Sequence, residues 1–578
     1  MLKHASPISG IACYENLVCT AGYDNKLILW DHINLHAPVA IARSNHDHLV
    51  NHCCFDATGK FILTASSDYS ARLWSVPDLK LISIFNGHTD DVEMAIFSPD
   101  NKTIATASRD HSIRIYDFSG NTKSILYGHR SDVISVIWST NYNEILSSSD
   151  DGTVRRWNII TNQEIEKYDF GDVETDTLIT TNDGTIYVGD DDGIITSHKN
   201  GKINRVKAHD SGIKRIFYNS NSHQIISSGY DQFIRIWNIT NDSIESNVNI
   251  KMPDESWARA ICVNTSTKRL LTGSFGYTFC TYDLLTSKWS NIPNNITNGI
   301  NTVICDSNNV WSSGDSGKIK CNNATICSLG SLINTISILP NGILAAGHKG
   351  VIYYYDKKDN CAKEVYKYSV PINTATSVDY DNFSMICLGC YSGEVILLKS
   401  LHNNNSISFC KKFRLFNNAI KGISSYSQED AFAVCANGNV AWFDFKGTII
   451  KEMKSAHSKI ANGCICLNNN EYASISRDKH LYLWKDRNLV SKISTPHTHS
   501  IKCICYDYPW IITGSYSGWI HFYNYKLSTW SKQNARPTQH GISSLCIQNC
   551  SEKKRIILAG SYDGSLYSIE LPDCNSLD

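Results

Sequence analysis

The chain has 578 residues, 42% of them hydrophobic, with 54 basic and 55 acidic side chains. That length exceeds what one hydrophobic core ordinarily fills, so at least two domains are expected, and the balanced charge supplies no global field toward nucleic acid or an anionic membrane. No apolar run approaches the roughly 20 residues of a membrane-spanning helix, and the opening MLKHASPISGIACYENL lacks the apolar segment of a secretory signal, so a cytoplasmic, non-membrane protein is expected.

From the N-terminus onward the chain repeats itself with a period near 40. Units begin near Ile8, His46, His88, His129, Gly171, His209, Pro253, Ile296, Leu332, Pro371, Asn417, His457, His497 and His540. The clearest copies are GHTDDVEMAIFSPDNKTIATASRDHSIRIYDF from Gly87, GHRSDVISVIWSTNYNEILSSSDDGTVRRWNI from Gly128 and AHDSGIKRIFYNSNSHQIISSGYDQFIRIWNI from Ala208. Each runs from a His through three predicted strands, and an Asp in the last turn precedes a closing aromatic residue by six places. The pairs are Asp24/Trp30, Asp68/Trp74, Asp110/Tyr116, Asp151/Trp157, Asp231/Trp237 and Asp478/Trp484.

These residues resemble the WD40 family, with its Gly-His opening and Trp-Asp close, although the full dipeptide survives only at Trp30-Asp31. The resemblance implies an all-β fold in which each repeat gives a propeller blade of four antiparallel strands. About fourteen blades in one ring would leave a wide axis, so two seven-bladed propellers in tandem are expected. Their predicted extents are residues 1–293 and a more degenerate 294–578, with the boundary in the turn-rich stretch 293–299.

In the family the motif His bonds the Asp and a Ser or Thr, which reaches the Trp nitrogen. That role falls here to His46, Asp68, Trp74, His88, Asp110, Tyr116, His129, Asp151, Trp157, His209, Asp231, Trp237, Asp478 and Trp484. The arrangement imitates a Ser-His-Asp nucleophile, but several equivalent copies argue for blade packing rather than catalysis. Of the 21 cysteines, Cys13, Cys53, Cys262, Cys305, Cys464, Cys503 and Cys546 fall in apolar strands and read as reduced packing residues. The 188–193 loop lacks alternating calcium-loop spacing and reads as a turn, and Cys321 and Cys327 lack the partners of a zinc site. No Walker loop or GxSxG elbow is present. No metal, cofactor or enzyme activity is expected.

Function is therefore expected on the propeller faces. In the family, the residue before the turn Asp lies on the narrower face around the channel. Here it is Tyr23, Ser67, Arg109, Asp150, Asp191, Tyr230 and Phe275, then Gly314, His348, Tyr391, Ala436, Arg477, Tyr516 and Tyr562. Tyr and Arg are enriched at binding hot spots, so Tyr391, Arg477, Tyr516 and Tyr562 form the main expected partner surface. Arg109 and Tyr230 are secondary candidates. Asp91 and Asp132, each just before a first-strand valine, predict an acidic edge for a basic partner. The expected function is a non-enzymatic scaffold or adaptor for one or more proteins. Alternatives are a ligand-sensing or regulatory subunit of a larger assembly, an actin-cytoskeleton regulator by analogy of architecture, and, last, a propeller enzyme. The closure of the final blade stays open: residues 571–578 follow its third strand, so either it keeps three strands or a short terminal segment completes it.

Overall fold

The computed structural model describes residues 3–572 except 33–37, 140–141, 171–172, 200, 241–242, 254–256, 275–277, 293–297, 307–308, 404–405, 426–427, 469 and 552–553. Phe275 and most of the expected boundary stretch thus lie outside the described residues. Every regular element among the described residues is a β-strand. The strands form fourteen antiparallel sheets in chain order, here blades 1 to 14: residues 8–45, 50–85, 92–127, 133–169, 175–207, 213–251, 260–290, 300–328, 333–367, 372–414, 420–453, 461–494, 501–535 and 542–570. Thirteen have four strands; the last has three among the described residues.

The chain divides into two compact units, Met1–Thr297 and Asn298–Asp578. Within each, the innermost strand of every blade packs against that of the next, and the series closes on itself. Ala260–Asn264 of blade 7 returns to Ile8–Tyr14 of blade 1, and Ile542–Ser551 of blade 14 returns to Ile300–Cys305 of blade 8. Each unit is therefore a seven-bladed propeller.

Burial falls from the axis outward. The second strand of a blade is covered on both faces and is apolar or small nearly throughout, as in Phe61–Ser66 and Trp510–Ser515. The fourth strand meets solvent and alternates, as in Val39–Asn45. Between neighbouring blades sits one apolar layer, for example Ile113 and Ile115 against Val133, Val136, Ile145 and Trp157. A blade alone would expose both of these layers.

The buried polar network recurs in blades 1, 2, 4 and 6. In blade 4, Trp157 Nε1 donates to Ser147 Oγ at 2.8 Å, His129 Nε2 meets the same hydroxyl at 2.8 Å, and His129 Nδ1 lies 3.0 Å from Asp151. One proton order satisfies every group: indole N–H to hydroxyl, hydroxyl to neutral imidazole, imidazole N–H to carboxylate. Burial lowers the His129 pKa and keeps the ring neutral. Burial also acts to raise the Asp151 carboxyl, but bonds from His129, Thr153 and the Arg130 N–H outweigh it and hold the group below the ordinary carboxylate range. Blade 3 uses Tyr116 instead, whose hydroxyl donates to the Asn86 carbonyl at 3.1 Å. Blade 1 contains a complete set anchored by His4, which bonds Asp24 and Thr20, both at 2.8 Å; it precedes the point where the repeat is legible.

In the second unit, blade 12 alone among the described residues joins all four types, with His457 Nδ1 3.7 Å from Asp478 and the latter taking a bond from Tyr482 instead. Blade 13 keeps only His497 on Thr513. In blade 14, Thr538 and Tyr567 bond Asp563, so His540 is not the motif residue of the last repeat.

Replacing Asp151 with Ala removes the carboxylate that accepts the buried imidazole N–H of His129 and leaves only the Thr153 hydroxyl at 3.4 Å, a cost of about 1–3 kcal/mol expected in urea unfolding. Both shifts in the pair are downward, so its contribution is complete above about pH 6.5 and erodes as pH falls through the folded-state values. The gap between variant and wild type should therefore narrow in acid. The second unit, poorer in these networks, is expected to lose hydrogen-exchange protection first in the same titration.

Candidate functional site

In every blade except blade 7 the register slips by one residue at the second position of the innermost strand. Such a bulge re-aims one side chain out of the strand's alternation. In blades 8, 9, 10 and 12 that residue is Asn301, Asn334, Asn373 or Asn462. Each side-chain amide donates to the first carbonyl of the next blade's inner strand, at 2.6–3.1 Å. Asn51 does the same to Val92 at 3.0 Å, and Ser9 and Ser543 do so to Val50 and Ile300. These bonds link the inner strands hand to hand.

Blades 11 and 13 carry Lys421 and Lys502 at the bulge instead. Lys421 Nζ lies 4.6 Å from the Tyr391 ring and Lys502 Nζ 6.0 Å from that of Tyr516. Arg477 of blade 12 also approaches Tyr516, at 5.9 Å. Tyr516 stacks on Tyr562 with centroids 6.0 Å apart, and His348 meets Tyr391 edge-on at 6.4 Å. The structure thus brings the four expected residues into one neighbourhood and adds two lysines. Burial acts to raise the Tyr516 hydroxyl, but Lys502, Arg477 and Lys421 outweigh it and bring the pKa down to about 8. Burial, with Tyr516 and Asp315 nearby, pushes Tyr562 well above the ordinary phenol range. Among the described residues none of the three cations forms an ion pair, and the buried Arg477 Nε has no hydrogen-bond partner. The nearby carboxylate, Asp315, takes a bond from Asn301 at 3.1 Å.

The first unit's mouth has the opposite sign. Asp91, Glu93, Asp132, Asp150, Glu174, Asp176 and Asp191 come together from blades 3, 4 and 5. Arg109 is held among them, bonded to Glu93 and, at 2.6 Å, to Asp132, with Asp91 at 4.0 Å; Lys214 reaches Asp176 at 3.3 Å. Burial and the neighbouring carboxylates push Asp150 and Asp191 well above the ordinary range. On the opposite side, Tyr230 meets Trp257 at 4.6 Å, and Arg259 lies over Trp257 and Tyr23 at 4.8 and 4.4 Å.

The WD40 profile, "WD domain, G-beta repeat", matches residues 40–75, 79–117, 120–158 and 200–238. The chain thus contains WD40 repeats over these residues. It is 32% identical over 102 residues to WD repeat-containing protein 37 of Mus musculus, 17% of this chain and 20% of that one. It is 23% identical over 121 residues to WD repeat, SAM and U-box domain-containing protein 1 of Danio rerio (21% and 25%), and 38% identical over 71 residues to Ribosome assembly protein 4 of Saccharomyces cerevisiae (12% and 14%). The chain spans 20% of the length of the first of these relatives. Each WD40 repeat is one strand out of phase with a blade: 79–117 begins with the outer strand of blade 2, Leu81–Phe85, and ends with the third strand of blade 3, Ser112–Asp117.

The WD40 networks are not nucleophiles. The hydroxyls of Thr20, Thr64, Ser147, Ser227 and Ser474 belong to fully buried residues and each accepts a Trp N–H, so none can meet a substrate. The 188–193 loop is a tight turn in which Asp190 accepts the Ile194 N–H at 2.8 Å. Among the described residues no group of three or more His, Cys, Asp or Glu is placed to hold a metal ion, and no helix is long and apolar enough to cross a membrane. Sequence reasoning missed Lys421, Lys502, Trp257, Arg259, Glu174 and Asp176. The bulged position carries half of them, and a polar residue recurring at the second position of most inner strands is its signal in the sequence.

The crowded carboxylates make a sign-specific prediction. A carboxyl whose folded pKa is raised favours folding less and less as pH climbs above about 3.9, the unfolded-chain value, toward the folded one. Asp150→Asn or Asp191→Asn is therefore expected to raise the melting temperature at pH 7.5, with the gain shrinking toward pH 4. Equal effects at both pH values would show that charge crowding is not the cause.

Proposed function

We propose that the chain is a non-enzymatic protein-interaction scaffold whose second propeller takes an acidic segment of a partner protein at its mouth. The observation that carries this is the cluster of Lys421, Arg477 and Lys502 on three successive blades, without carboxylate partners among the described residues and flanked by Tyr391, Tyr516 and Tyr562. Tyrosine offers large contact area at low entropic cost, and Arg adds a planar fork for carboxylates. A mouth of one sign also steers an oppositely charged segment before contact. That other WD40 proteins are generally interaction scaffolds supports the reading, and a cytoplasmic setting accords with it.

A second surface is favoured by a specific observation. The carboxylates of blades 3 to 5 outnumber Arg109 and Lys214, which suits a basic segment at the first mouth. Arg109 then acts by holding Asp132 and Glu93 in place, while Tyr230 belongs to the aromatic side of that mouth.

Replacing Tyr391, Arg477, Tyr516 and Tyr562 together with Ala is expected to abolish recovery of the principal partner from lysate while the circular dichroism spectrum stays unchanged. Lys421→Glu with Lys502→Glu is expected to weaken the same complex at least tenfold. Asp91→Ala with Asp132→Ala should weaken binding less, mainly through the association rate. A folded quadruple variant that keeps full recovery would move the site to the blade rims.

A further inference from the structure

Among the described residues no strand crosses from the last blade of either propeller to the first. Blade 1 draws all four strands from residues 8–45 and blade 7 from 260–290, and blades 8 and 14 are likewise built from their own residues. Among the described residues each ring is therefore joined at its seam by side-chain and backbone contacts alone. In the second unit these include Val303 N donating to Ser544 Oγ at 3.0 Å, and in the first, Asn264 Nδ2 donating to the Glu15 carbonyl at 2.6 Å.

At both seams two thiols meet. Cys305 Sγ of blade 8 lies 3.0 Å from Cys546 Sγ of blade 14, and in the first unit Cys13 of blade 1 meets Cys262 of blade 7. The positions correspond. Cys13 and Cys305 each follow the opening isoleucine of the inner strand by five places, pairing with Val18 and Val310 across their blades. Cys262 and Cys546 each lie two residues beyond the one facing the second-strand glycine, Gly273 or Gly560. Two rings of different sequence thus place the same pair at the same joint.

We propose that Cys305–Cys546 and Cys13–Cys262 are modification sites at which a low-molecular-weight disulfide, such as oxidised glutathione, installs a covalent bond across each ring seam. The Cys305 thiolate attacks one sulfur of the oxidant, forming a mixed disulfide and releasing one glutathione thiolate. The Cys546 thiol then loses its proton and attacks the Cys305 sulfur of that mixed disulfide, releasing the second glutathione. Two protein thiols are oxidised and one small disulfide is reduced to two thiols. The sulfurs need close by only about 1 Å to reach a disulfide bond length. The hydrogen bond from Cys546 lowers the Cys305 thiol and burial raises it less, which suits Cys305 as the attacking group. Cys19 and Cys53 also touch, between blades 1 and 2, but both are buried, whereas each seam pair has a partly exposed member to meet the oxidant, Cys13 or Cys305. Exposed Cys410 has no thiol partner among the described residues.

The effect follows from topology. Each bond closes nearly a whole propeller into a covalent circle, the arrangement in which a cross-link most restricts the unfolded chain. The full chain is incubated with reduced and oxidised glutathione at set ratios, alkylated, digested without reduction and analysed by mass spectrometry, with melting followed in parallel. The expected result is a Cys305–Cys546 linked peptide, and a Cys13–Cys262 peptide at more oxidising ratios. Melting should rise by about 5–10 °C and return on adding dithiothreitol. Cys305→Ser and Cys546→Ser should each abolish the Cys305–Cys546 peptide and its share of the rise while melting like reduced wild type under reduction. Stable glutathione adducts on Cys305 with no linked peptide, or linked peptides without a rise in melting, would overturn the proposal. None of these readouts depends on partner binding, so the proposal stands or falls separately from the scaffold reading.

Discussion

Ring closure is the constraint on which the rest of this protein depends. A blade has two apolar faces and covers neither by itself, so each is stable only between two neighbours. Six blades in a row would leave two open faces; the seventh removes both. Every blade interface within a ring is then equivalent except one, the seam, where the chain does not continue. With no strand crossing it among the described residues, the seam relies on what its inner strands bring: a serine hydroxyl on Ile300, Asn264 on Glu15, Arg259 on Tyr23, and a pair of thiols. The weakest joint is also where this sequence gathers polar and sulfur contacts.

The bulge on the inner strand shows how one geometric device serves two ends. A side chain re-aimed out of the strand either ties the ring or faces the mouth. Where it is Asn51, Asn301, Asn334, Asn373 or Asn462, the amide is used on the neighbouring blade's carbonyl. Where it is Glu93, Asp176, Lys214, Lys421 or Lys502, the charge enters the channel mouth. Because each blade makes this choice separately, two propellers of one architecture acquire mouths of opposite sign within a chain of net charge −1.

The buried His, Asp and hydroxyl sets look like catalytic machinery and act as register pins. Their hydroxyls are covered, and burial lowers the imidazoles of His46, His88, His129 and His209 and keeps them neutral. The second unit largely dispenses with them and fills the same space with rings. Phe432, Trp442, Tyr472 and Trp484 pack together in blades 11 and 12 with centroids 4.6–6.5 Å apart. Apolar packing tolerates substitution more readily than a chain of four matched polar groups, which is why repeats of the second unit are harder to read.

The amino-acid sequence by itself determined the all-β class, the fourteen repeats and the buried polar sets of blades 2, 3, 4, 6 and 12, because each rests on a local pattern: a period near 40, strand alternation, and an Asp six residues before an aromatic. It also located Tyr391, Arg477, Tyr516 and Tyr562 as turn-flanking residues of four blades. Only the tertiary structure decided what surrounds them. Lys421 and Lys502 sit at bulges, where alternation in the sequence no longer tells which way a side chain points. Arg109, a cation by sequence, is already engaged by Glu93 and Asp132 from its own and the next blade. His4 joins Asp24 and Thr20 from before the first legible repeat. The seam pairs are the extreme case: Cys305 and Cys546 stand 241 positions apart and become neighbours only when seven blades, each turned by a similar angle about one axis, bring the last inner strand back against the first.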